Sequence, residues 1–329
     1  MLLRRTVLKD NRYDFFRKTI LPILIFIGLI VVISVVFNAI FDGKFLSVEN
    51  INAVSINAII ASFTAWGICF LFALNYMDLS LGAVMTIAAF TAGELGNAIG
   101  PAGVALGGLA IGMALMVINF NVFAWTKIPS WVAGLGMCLI YEAITGFYVK
   151  FKSGLGSFAV MLNEEYAIFG RFPGVYIVFI IGLILATLIY NHTTLGLRTR
   201  AIGARPNIAR IMGVNIPKTL IQIGIVCGFF IGCAGFIKES HSLRLGNMTN
   251  LTSLSMVFPP LTTVFLARVL SRWINIIIAV PFCAFLIYAC YNMLAIIGVP
   301  SGTLQETVLG LFVIVFGVIS QRGTKEIIK

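Results

Sequence analysis

Three carboxylates sit inside apolar runs of this chain. Asp78 lies in NYMDLSLGAVMTIAAF, Glu94 in the continuation of that run, and Glu142 after IPSWVAGLGMCLIY. On a soluble helix they would be ordinary. Glu94 and Glu142 lie within spans, where each costs about 2.5–3.5 kcal/mol unless it is paired, protonated, turned to an aqueous cavity or near the interface. The chemistry open to them is therefore proton carriage, solute contact or internal pairing. Asp78 and Ser80 also precede a helical run, where Asp is a strong N-cap and Gly82 permits close packing or a bend. That pattern fits a helix start held at a membrane edge. The alternative is a helix N-terminus, at a break near a polar pathway, whose free N–H groups meet a solute.

Other reactive groups are sparse. His192 and His241 are far apart, at the ends of apolar runs, so a metal cluster or a nucleophile–histidine pair has little to draw on. Cys69, Cys138, Cys227, Cys233, Cys283 and Cys290 all fall in apolar runs, where a thiol packs as a small hydrophobe. No catalytic or metal-ligating residue is assigned. No GxxxxGK[ST] occurs, so the chain carries no P-loop for ATP.

A second pattern is LGLRTRAIGARPNIARIMGVNIPK, Leu195 to Lys218. It holds Arg198, Arg200, Arg205, Arg210 and Lys218 with no acid between them. Pro206 suits a first helical turn and Gly213 a helix end. Ile208, Ile211 and Met212 share a face at i, i+3 and i+4. The spacing predicts an amphipathic helix of about two turns, too short to stand alone. Its isoleucines need a cover, either anionic lipid or a docking protein.

The elements that must position these residues follow from composition. The chain has 329 residues, 60% of them hydrophobic and 11% charged, with mean hydropathy +1.02. Soluble domains carry roughly 25% charged residues. An all-α polytopic membrane protein is expected, a single transmembrane domain over residues 1–329 with about ten helices of about 20 residues. The candidate spans are Ile20–Phe41, Ile51–Leu74, Leu81–Ile99, Ala102–Trp125, Ser130–Val149, Pro173–Tyr190, Pro217–Ile237, Leu251–Leu266, Trp273–Ile297 and Gly302–Ser320. The first is too long for a signal-peptide core and reads as a retained span. Leu251–Leu266 is short, rich in Ser and Thr, and contains Pro259-Pro260. It is expected to be interrupted or re-entrant, which membrane depth tolerates only under cover of protein or a water-filled cavity. Spans two to five and seven to ten would then form an inverted repeat. In GVALGGLAIG, Gly103 and Gly107, then Gly108 and Gly112, stand at the four-residue spacing that lets helices approach closely.

Charge sets the expected orientation. Of the 23 lysines and arginines, all but Lys44, Lys150, Lys152, Arg171, Lys238 and Arg244 fall on the side of the N-terminus. By the positive-inside rule both termini, the basic stretch 1–19 and the loop 191–216 are cytoplasmic. The net charge of +11 is thereby explained by topology, with no nucleic acid as partner.

Three motifs carry a resemblance. TTLGLRTRAIGARPNIARIMGVNIPKTLIQIGIVCGFFIGCAGFI resembles the cytoplasmic-loop signature of ABC importer permeases of the ribose/galactose and branched-chain amino acid type. MDLSLGAVMTIAA is similar to that family's Asp-Leu-Ser-x-Gly motif, and IPSWVAGLGMCLIYEAI to its Ile-Pro-x-x-x-x-x-Leu-Gly segment. The chain departs from the family at SLSMVFPPLTTVFLARVLSR, where members often carry a Gly- and Ser-rich motif. That fits one half of a non-identical permease pair, or simple divergence.

The resemblance implies an inner-membrane permease subunit and no enzyme activity of its own. Leu195, Gly196, Arg198, Ala201, Ile202, Gly203, Ala209, Arg210, Gly213 and Val214 match the coupling-loop pattern that docks an ABC ATPase. ATP and magnesium would be bound by that ATPase and not by this chain. A second permease copy, an extracytoplasmic solute-binding protein and membrane lipid complete the implied partners. The cargo expected is a monosaccharide, with nucleosides, branched-chain amino acids or a sugar-like signal as alternatives. The expected pathway residues are Asn57, Trp66, Asp78, Ser80, Thr86, Trp131, Glu142 and Phe258. The competing class is an ATP-independent secondary transporter with Asp78, Glu94 or Glu142 as proton carriers.

Overall fold

A computed structural model describes residues 28, 32, 34–40, 43–153, 158–246, 248–299 and 304–325. The basic stretch 1–19 and most of the span expected at Ile20–Phe41 lie outside the described residues. Among the described residues, eleven α-helices follow Gly43. They are α1 (Val48–Ala73), α2 (Leu81–Ile99), α3 (Pro101–Thr126), α4 (Ser130–Ser153), α5 (Gly174–Thr187), α6 (Thr194–Ala204), α7 (Pro206–Ile211), α8 (Ile216–Ser242), α9 (Phe258–Leu270), α10 (Ile276–Ile296) and α11 (Leu304–Lys325). Among the described residues the strands are β1 (Phe158–Met161) and β2 (Arg244–Gly246), paired antiparallel with Phe158 opposite Gly246.

Seven helical stretches among the described residues are long and apolar enough to cross a membrane: α1, α3, α4, Glu164–His192, α8, Thr252–Leu270 and α10. The chain is a polytopic membrane protein. At about 1.5 Å per residue, the 26 residues of α1 span about 39 Å, enough for a tilted crossing. α2 is a 19-residue helix diluted by Glu94 and Asn97, and falls outside that group.

By backbone contacts the chain divides into two units, Ile56–Val264 and the pair of segments up to Ser55 and from Phe265. In the second, Asn50 and Asn292 exchange amide hydrogen bonds of 2.8 Å in both directions beside a cluster of Phe45, Val54 and Ala289.

The larger unit is organised by glycine. Cβ atoms are absent where α3 meets two neighbours. A Cβ on Gly103 would stand 2.1 Å from Leu95 O of α2, and one on Gly112 would stand 2.7 Å from Gly228 O of α8. The two four-residue pairs in GVALGGLAIG therefore serve two different seams. Backbone contact of this kind is how helices associate where lipid removes the hydrophobic drive. α8 is correspondingly central, 72% of its apolar stretch being buried, whereas Glu164–His192 is only 17% buried. Ile177, Ile180, Ile181 and Ile184 of α5 stay more than half exposed, as a lipid-facing row should.

One expectation is corrected. The span expected to end at Ile237 leaves Lys238 just beyond it, on the side opposite the N-terminus, but α8 continues to Ser242 and keeps Lys238 inside the helix. Gly235 packs against Met85 O and Ala88 of α2, so tertiary packing carries the helix past the point where its hydropathy fails.

Candidate functional site

The segment expected to be interrupted is broken. Asn250 and Leu251 have positive φ, Thr252–Met256 forms a single 3-10 turn, and α9 starts afresh at Phe258. Pro259 and Pro260 fall in the first turn of α9, where a missing N–H costs nothing. The break is held by Glu142 of α4, only 3% exposed. Its carboxylate accepts the N–H groups of Leu251 at 2.7 Å and Ser253 at 2.8 Å, and the Ser253 hydroxyl. Glu142 is thus internally paired, as an acceptor for backbone donors that the break leaves free.

The Asp78 turn joins the same assembly. Asp78 Oδ1 accepts from Ser80 N at 2.8 Å, and the Asn119 side-chain amide of α3 donates to Asp78 Oδ2 and to Ser80 Oγ. Tyr141 of α4 donates to Asn119 Oδ1 at 2.7 Å. Burial pushes the Asp78 carboxyl above its ordinary range, although the bonds from Ser80 and Asn119 pull it down. The helix α2 starts at Ser80 with no side-chain cap bond, so Asp78 fixes the turn and does not cap the helix. Gly82 is needed for contact, since its Cβ would stand 2.0 Å from Ser253 O. Met77 N donates to Ser130 Oγ, and a Cβ on Gly134 would press on Asp78. The turn, the start of α4 and the break therefore meet in one place.

The basic loop behaves as its spacing predicts. Thr193 caps α6 by accepting from Gly196 N, and α7 ends at Ile211 with Gly213 at φ +84. One side of the loop faces inward. Gly196, Ile202 and Ala209 are buried, and a Cβ on Gly203 would stand 2.0 Å from Ala73 O at the end of α1. Arg200 donates to Tyr190 O and lies over the Tyr190 ring, which meets Phe70 edge-on. The other side is open: Arg198, Arg210 and Gly213 are exposed, and Ile211 and Met212 are 85% and 77% exposed. Leu195, Ala201 and Val214 are half-buried between these sides.

The expected pathway residues separate. Asp78, Ser80 and Glu142 belong to the two networks, and Thr86 faces Met256 Sδ beside the break. Trp131 lines a cavity of about 700 Å³ together with Tyr76, Met77, Lys127 and Arg210. That cavity brings an expected pathway residue to an expected coupling residue. Trp66 is fully buried among Phe63, Phe179 and Phe230. Asn57 is half-buried in α1, and Phe258 begins α9. Asn119, Tyr141 and Ser253 were missed. An asparagine inside an apolar helix was the available signal for the first.

Comparison with known proteins places this arrangement among transport permeases. The family model described as "Branched-chain amino acid transport system / permease component" matches residues 50–318. The galactose/methyl galactoside import permease protein MglC of Escherichia coli K12 is 27% identical over 246 residues, 69% of this chain and 72% of that one. The fructose import permease protein FrcC of Rhizobium meliloti is 26% identical over 245 residues, covering 70% and 68%. The ribose import permease protein RbsC of Bacillus subtilis is 25% identical over 228 residues, covering 66% and 67%. No solved structure matches.

Proposed function

Because this chain belongs to the family of branched-chain amino acid transport system permease components, whose model covers residues 50–318, we propose that it is the transmembrane permease subunit of an ATP-driven importer for a monosaccharide. Its relatives import galactose, fructose and ribose by name. In this reading the chain lies in the inner membrane as one permease domain of about ten spans, arranged as an inverted repeat with both termini cytoplasmic. A second permease subunit, identical or not, completes the channel. ABC ATPase subunits bind ATP and magnesium, and an extracytoplasmic binding protein delivers the sugar. Lipid covers the α5 face, and nucleic acid has no part.

The observation that carries the reading is the two-sided loop of α6 and α7. Its inner side is clamped to Ala73 through Gly203, while Ile208, Arg210, Ile211 and Met212 face outward without cover. A protein docked there would cover the apolar face, and ATP-driven closure would displace the clamped side. Close-packed contacts transmit such a displacement because they cannot deform continuously. From Ala73 the contacts lead through the Asp78 turn to Asn119 and Tyr141, and through Gly82 to the break. A ligand or nucleotide shifts the transporter only by contacting its states differently, so the ATPase must grip the loop differently before and after hydrolysis.

The test is Arg210→Glu with Gly213→Pro, which reverses the outward charge and removes the Gly213 N–H that bonds Arg210 O. Membrane insertion stays normal, while co-purification of the ATPase and sugar uptake are both lost. Full uptake in the double variant would remove the coupling role.

A further inference from the structure

The end of α8 away from the coupling loop reads Lys238-Glu239-Ser240, and no role assigned above uses it. Glu239 is 0% exposed and Ser240 1%. Among the described residues, neither Glu239 carboxylate oxygen nor Ser240 Oγ has a hydrogen-bond partner. Lys238 Nζ meets Met256 Sδ at 3.0 Å, and a thioether is a weak acceptor. Two consecutive buried residues thus hold three unused hydrogen-bonding atoms beside a poorly paired ammonium. Buried polar groups in folded proteins are almost always paired, and the bilayer core offers no water in their place. Within the conformation seen only the charge of neighbouring Lys238 offsets that cost, and the hydrogen-bonding capacity of both side chains stays free for a different state or a ligand.

The surroundings point to the ligand. Lys238 reaches Met256, which Thr86 also faces, so the cluster adjoins the broken segment. Glu94 follows Ala88 along α2 as Glu239 follows Gly235 along α8, so the two carboxylates lie toward the same end of the α2–α8 seam. Glu94, Thr91, Phe90, Thr145 and Tyr148 line a cavity of about 270 Å³ between α2 and α4. Carboxylates that accept from hydroxyls, an ammonium that donates, and aromatic rings for C–H faces are the chemistry of a neutral polyol. The seam between α8 and α2 is locked at Gly235 by Met85 O and Ala88, so opening is confined to the last turns of α8.

We propose that Glu239, with Lys238, Ser240 and Glu94, forms a monosaccharide subsite in the pathway, closed in the state seen and opened along the end of the α2–α8 seam. This rests on the sugar-permease reading and adds where the solute is held on the side far from the ATPase. The subsite is transient, because a path that held sugar tightly would not release it.

The experiment uses the whole transporter with its ATPase and binding protein in liposomes. In a background lacking the six native cysteines, Glu239→Cys is treated with a charged, impermeant thiol reagent in each nucleotide state. Labelling is expected to rise about tenfold in one state and to be suppressed by D-galactose or D-ribose. In the native background, Glu239→Gln and Lys238→Met are each expected to slow uptake of the same sugars about tenfold, the loss of one good hydrogen bond to a charged group. ATPase co-purification should be unchanged. Wild-type uptake by both variants, labelling in no state, or protection by calcium chloride but not by sugar overturns the subsite and leaves the permease reading standing. A wild-type complex that moves no sugar refutes that reading itself.

Discussion

Glu142 and Glu239 are both buried carboxylates, 3% and 0% exposed, among apolar helices, yet their surroundings are opposite. Around Glu142 two backbone N–H groups and a hydroxyl converge on one carboxylate and hold the break at Leu251–Met256. Among the described residues, no hydrogen-bond donor meets the Glu239 carboxylate. A carboxylate that meets the unpaired donors of an irregular backbone is part of the architecture. One left without donors is a cost that the surrounding glycine-packed seam sustains. Burial alone therefore does not distinguish a structural acid from a functional one; the partners do.

The largest effect expected on this contrast is at Glu142. Glu142→Ala strands two N–H groups and a hydroxyl, at about 3–5 kcal/mol, the usual result of breaking a buried charged cluster. At about 2–4 °C per kcal/mol the purified protein should lose on the order of 10 °C in Tm. An unchanged Tm would mean that the break is held by something else. At the other end of the scale, Glu239→Leu should leave Tm unchanged or raise it by a few degrees, because it removes an unpaired buried polar group. A fall in Tm as large as that of Glu142→Ala would erase the distinction between the two sites.

Local signals made much of this legible. The apolar runs marked the seven spanning helices found among the described residues, Pro206 and Gly213 marked the ends of α7, and Gly103, Gly107, Gly108 and Gly112 marked the two seams of α3. Each is decided within a few residues, by hydropathy, proline or the missing Cβ. Pairings across the chain were hidden. Glu142 and Ser253 are 111 residues apart, and nothing in either segment names the other. The end of α8 was misplaced because Lys238, Glu239 and Ser240 look like loop residues until Gly235 is seen packed on α2. The β1–β2 ribbon was missed because strands of four and three residues are too short to show alternation.

The central claim is that this chain moves a sugar with energy released in another subunit and received through α6 and α7. The direct measurement is uptake of labelled D-galactose, D-ribose and D-fructose into liposomes holding the chain, with and without its ATPase and binding protein. The account predicts uptake of at least one sugar only when ATPase, binding protein and ATP are all present, with no response to an imposed proton gradient. Uptake by this chain alone, driven by that gradient, would contradict it.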